Sequence, residues 1–117
     1  MSTNRDHMNR NFCISAGDDK QIVISVKDAA GAAVNVNGFT PHWGLFRIGD
    51  GFELISKTGA GQAEVTNATA GEITITIDAA DTLSLAGTFY HELDVVDLAA
   101  KRATVAGGSL EIAPKRK

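Results

Sequence analysis

A chain of 117 residues, 44% of them hydrophobic, is long enough for one core and too short for two self-supporting domains. A lone cysteine, Cys13, excludes an internal disulfide and suits a reducing compartment. The net charge of −3 hides a division: residues 11–114 carry six Lys or Arg against thirteen Asp or Glu, while Arg5, Arg10, Lys115, Arg116 and Lys117 make both ends basic.

An acidic body argues against nucleic acid as a partner, because phosphates repel it. Basic ends on such a body suit copies that hold their neighbours by the ends, with Arg5, Arg10, Lys115, Arg116 and Lys117 as the contacting residues; the alternative is that "KRK" is simply a solubilising end. The first ten residues, "MSTNRDHMNR", read as a polar arm and lack the apolar run of about 7 residues that a secretory signal needs. No segment approaches the roughly 20 apolar residues that span a bilayer, so no membrane partner is expected and synthesis is expected in the cytoplasm.

After the arm, "FCIS" (residues 12–15) alternates and predicts a short strand, with Cys13 as a small buried hydrophobe. "AGDDK" is a turn. "QIVISVKD" then sets Ile22, Ile24 and Val26 on one face, a half-buried strand. Asn37-Gly38 closes a second turn-rich stretch. In "PHWGLFRI" Trp43 and Leu45 oppose Phe46 and Ile48, which predicts a central strand covered on both faces. "GDGFELISKTG" supplies its hairpin partner, and "AGQAEV" a short, weak strand. "NATAGEITITID" places Ile73, Ile75 and Ile77 inward with threonines outward. "DAADTLSLAG" reads as one helical turn capped by Asp78 or Asp81.

The strand 87–96 puts Phe89, His91, Leu93 and Val95 on one face and Tyr90, Glu92 and Asp94 on the other. "ATVAGGSLEIAP" closes the chain, with a bulge expected at Gly107-Gly108. Seven or eight short strands, frequent turns and no long helix predict an all-β, immunoglobulin-like antiparallel sandwich over residues 11–114, with one short helical turn before the penultimate strand. Its expected core includes Ile22, Ile24, Val26, Trp43, Ile73, Ile75, Ile77, Phe89, His91 and Leu93.

Two long segments carry a resemblance. "AGDDKQIVISVKDAAGAAVNVNGFT" has Gly-Asp-Asp before an alternating strand, Asp-x-x-Gly in the turn, and a valine-rich step ending in Asn-Gly. "AGEITITIDAADTLSLAGTFYHELDVVD" has strand, helical turn with Ala-Asp-Thr, then Gly-Thr-aromatic, and "GGSLEIAP" follows as a closing strand. In this order they resemble the immunoglobulin-like domain of tailed-phage structural proteins, similar to the N-terminal domain of baseplate upper proteins, from about Ser15 to Pro114. The resemblance implies a virion protein without enzymatic activity, such as a capsid decoration or cement protein, with other virion proteins or further copies of itself as partners. A tail, neck or baseplate adaptor is the alternative it implies. In that family an aromatic often stands where His91 does, so His91 reads as an aromatic-like packing position with one polar nitrogen to satisfy, and its replacement by Phe is expected to preserve folding and assembly.

The residues themselves offer little chemistry. His42 and His91 can meet only if their strands are neighbours, and Glu92 or Asp94, the nearest third ligands, point to the face away from His91. No catalytic, cofactor or metal site is expected. Asp18-Asp19 and Asp78/Asp81 lack a calcium loop's run of ligands, and "TGAGQAE" lacks the Gly-Lys-Ser/Thr of a phosphate loop. A third reading, a module whose loops bind carbohydrate or a host receptor, rests only on the habit of sandwiches to carry recognition on loops.

Overall fold

The structure is a computed structural model and describes residues 8, 9 and 11–114. Among the described residues, nine strands and one helical turn run in the order β1 (Met8–Asn9), β2 (Phe12–Ser15), β3 (Lys20–Ser25), β4 (Thr40–Arg47), β5 (Glu53–Thr58), β6 (Ala63–Asn67), β7 (Glu72–Ile77), α1 (Ala79–Thr82), β8 (Gly87–Val96) and β9 (Arg102–Ala113). They form two sheets. One has the order β1-β9-β8-β4-β5, with β2 also on β9, and the other is β3-β7-β6.

The pairing is antiparallel except along β9, which β1 and β2 join in parallel. This is the immunoglobulin-like sandwich, with α1 before the penultimate strand. Met8 and Asn9 pair with Ala106 and Gly107, so strand pairing begins ahead of residue 11, where the sandwich was expected to start.

Isoleucine drives the small sheet. In β3 and β7, Ile22 pairs with Ile75 and Ile24 with Ile73, so one face of the pair is continuous branched hydrocarbon. All four are at most 2% exposed, and full burial of such a side chain contributes about 1.5–3 kcal/mol. Trp43, Leu45, Leu93 and Leu110 answer them from the larger sheet. The "EITITI" strand is central in its sheet, between β3 and β6, so its edges are already paired.

The helical turn is fastened from two directions. Asp19 Oδ1 accepts the Ala79 amide at 2.7 Å, and Thr82, 1% exposed, accepts the Gly17 amide at 3.0 Å. The "AGDDK" turn thus caps a segment some 60 residues later. Asp78 is the N-cap residue, and its own amide donates to Asp81 Oδ2 at 2.8 Å. Lys57 reaches in from β5 to the same place, with Nζ 2.7 Å from Asp81 Oδ2 and 3.7 Å from Asp78 Oδ2. That ammonium ties the outer strand of the larger sheet to the connection leaving the smaller one.

Three local expectations are corrected. The bulge in β9 lies at Val105, between the pairs Leu93–Ala106 and Asp94–Thr104, while Gly107 and Gly108 pair regularly with Glu92 and His91. The extra residue lets Val105 and Ala106 both be buried. Cys13 is exposed, because its register partner is the outward-facing Glu111. The strand β4 is covered by the second sheet on one face only: Trp43 and Leu45 are buried, Phe46 is half-buried and Ile48 is 59% exposed.

Candidate interaction surface

The ten side chains expected inside are all buried, His91 among them. Trp43 and His91 lie on neighbouring strands, where Trp43 pairs with Leu93 and Leu45 with His91. The two rings are therefore diagonal neighbours on the inner face. Trp43 Nε1 donates to His91 Nδ1 at 3.1 Å, so Nδ1 is the unprotonated ring nitrogen. Phe12 packs on the imidazole with ring centroids 5.2 Å apart. His91 thus packs as an aromatic in the core, and the polar nitrogen expected to need a partner accepts from the protein's single tryptophan.

His42 and His91 do not meet, although β4 and β8 are adjacent. They differ in parity, so His42 is on the outer face and His91 inside. No group of three or more metal-ligating side chains is found among the described residues. The five basic residues expected to make contacts, Arg5, Arg10, Lys115, Arg116 and Lys117, lie outside the described residues.

On the outer face His42 stands with two groups that sequence reasoning did not connect to it. Its Nε2 is 2.8 Å from Ser56 Oγ and 3.6 Å from Glu53 Oε2. A serine nucleophile relay needs the carboxylate on the ring nitrogen opposite the hydroxyl. Here both groups approach the same nitrogen, so the cluster orders the surface and does not activate Ser56. Gly44 lies between, and a Cβ there would collide with the Glu53 carboxylate and the Phe46 ring. The missing side chain lets Glu53 lie flat over β4.

Beside this cluster the β4–β5 hairpin forms a firm, partly apolar projection. Arg47 N donates to Phe52 O at 2.8 Å and Gly51 N to Arg47 O at 2.9 Å. Asp50 takes the Arg47 guanidinium at 2.7 Å and the Phe52 amide at 3.0 Å. The Arg47 hydrogen bond, aided by that amide, holds the Asp50 carboxyl down at about 2. Gly49 and Gly51 take positive φ values of 112° and 73°, which the reversal requires. The loop presents Ile48 and Phe52, 59% and 58% exposed.

Between hairpin and sheet is an open hollow of about 540 Å³, lined by Phe46, Arg47, Ile48, Gly49, Gly51, Tyr90 and Glu92. The Phe46 and Tyr90 rings are 6.4 Å apart and tilted by 41°. Tyr90 donates its hydroxyl to Glu92 Oε2 at 3.2 Å. Burial pushes the Tyr90 phenol up, and the negative charges of Glu92 and Asp94 push it further.

No protein-family model matches the chain, and no curated protein does. Among solved structures it is similar to CopC from Methylosinus trichosporium OB3b, with a TM-score of 0.49 and 11% identity over 98% of this chain and 89% of that one.

The sequence carried one usable sign of this surface: Ile48 and Phe52 flank "GDG", two large apolar residues at a reversal. Alternation alone assigns Ile48 to a strand covered on both faces and Phe52 to its hairpin partner, so the pair does not stand out as a surface.

Proposed function

We propose that this protein is a non-enzymatic structural component of a bacteriophage particle, an accessory capsid decoration or cement protein that binds neighbouring virion proteins in many copies. The observation that carries the reading is the pinned hairpin, where Ile48 and Phe52 stand exposed beside the Phe46–Tyr90 hollow. Large apolar side chains held out on a rigid loop suit contact with another protein, since ordering them on binding costs little.

The order of motifs that resembles tailed-phage domains supports the particle as the setting. Two of those motifs, Gly-Asp-Asp and Ala-Asp-Thr, touch through Gly17–Thr82, and Asp19 of the first also accepts the amide of Ala79, just ahead of the second. That contact gives their pairing a physical reason. A tail, neck or baseplate adaptor would use the same surface. Carbohydrate binding draws less support, because Trp43 is fully buried and the Arg47 guanidinium stands over one face of the Phe52 ring, 5.3 Å from its centroid.

Mass spectrometry of gradient-purified particles tests the proposal. The chain should be present, and its copy number relative to the major capsid protein should separate head from baseplate. A chain found in the infected cell but missing from purified particles overturns it.

A further inference from the structure

The outer face of the larger sheet is acidic. By strand parity Glu53, Glu92, Asp94 and Glu111 all point outward from it. The outward cations of these strands do not balance them. Arg102 approaches Asp94 at 3.7 Å, and Arg47, which pairs with the inward Phe89 but reaches the hollow from the end of β4, is occupied by Asp50. The hollow therefore joins two aromatic rings to a carboxylate surplus. That combination suits a Lys or Arg side chain, whose stem lies along a ring while its charged head reaches the carboxylate.

The chain itself contains a segment of that chemistry. Lys115, Arg116 and Lys117 are three consecutive cations directly after the closing strand. We propose that the Phe46–Tyr90–Glu92 hollow of one copy docks the Lys115–Arg116–Lys117 segment of a second copy. Tyr90 Oη donates to one carboxylate oxygen of Glu92, and the incoming cation takes the carboxylate's open side. Ile48 forms the apolar rim over which the stem passes. This names a partner within the assembly reading above, but its test needs no particle, so either can fail without the other.

The probe is a synthetic peptide of residues 110–117, "LEIAPKRK", titrated into the full chain and followed by amide shifts. Binding should perturb Phe46, Tyr90 and Glu92, weaken about 3- to 10-fold in Glu92→Gln, and fade at roughly 0.5 M salt. Ile48→Ser provides a second variant at an exposed position, and thermal unfolding checks that both variants fold. In parallel, the full chain should self-associate in sedimentation velocity at low salt, and a chain ending at Pro114 should not. Shifts located elsewhere, or an affinity indifferent to both substitutions, overturn the site. A full chain that stays monomeric at every concentration and salt overturns the second copy as occupant, leaving the hollow to its own tail or to another protein.

Discussion

Trp43 and His91, 48 residues apart and each completely buried, are joined by a 3.1 Å hydrogen bond across neighbouring strands. A buried indole N–H without an acceptor is costly, and the imidazole removes that cost. The histidine thus serves the core through its nitrogen as well as its ring.

His91→Phe keeps the ring and loses the acceptor, so it should destabilise the fold by about 1–3 kcal/mol. Urea unfolding measures this, and a change under about 0.5 kcal/mol would show that the bond is dispensable. In a double-mutant cycle with Trp43→Phe, the loss caused by His91→Phe should shrink, since no donor is then left stranded.

Lys57 is 6% exposed, yet its ammonium meets Asp81 at 2.7 Å. Lys57→Met retains the stem and removes the charge. Asp81 is partly solvated, so the expected cost is about 1–3 kcal/mol rather than that of a fully interior pair. Chemical denaturation should show Asp81→Asn costing less in the Lys57→Met background than in the wild type.

Two turns share one design. Asp28 Oδ1 accepts the amides of Ala30 and Ala32, and Asp97 Oδ1 accepts those of Ala99 and Lys101. The equivalent positions with positive φ are Gly31 at 86° and Ala100 at 62°. Alanine is strained there. Ala100→Gly should therefore stabilise by about 0.5–1 kcal/mol after the entropy of glycine in the unfolded chain is counted. Gly31→Ala should destabilise by a similar amount, and opposite shifts in Tm are the readout.

Asp50 gives the pH dependence. Its carboxyl is held at about 2 in the folded chain, against about 3.9 when unfolded. A depressed carboxylate favours folding above its unfolded value, and that contribution is lost as pH falls through about 2. An NMR titration of Asp50 should show a midpoint near the lower value, moving toward about 4 in Arg47→Ala. A midpoint near 4 in the unaltered protein refutes the tight pairing.

By itself the sequence determined the strands whose alternation is unbroken. Ile22, Ile24 and Val26, then Ile73, Ile75 and Ile77, then Phe89, His91 and Leu93 each mark a buried face, because a period of two has only one way to hide its apolar set. It also determined the helical turn, since "DAAD" places carboxylates where a helix start leaves amides open.

Only the tertiary structure decided the rest. Cys13 is exposed because of its register against β9. In β5 Leu54 is an extra residue at the bulge, which turns Glu53 to the outer face while Ile55 and Lys57 stay on the inner one. His42 and His91 are separated because adjacent strands hold them at opposite parity, and the hollow exists because β4 and β8 bring Phe46 opposite Tyr90. Each depends on which residue faces which across a ladder, and pairing between distant segments leaves no trace in local periodicity.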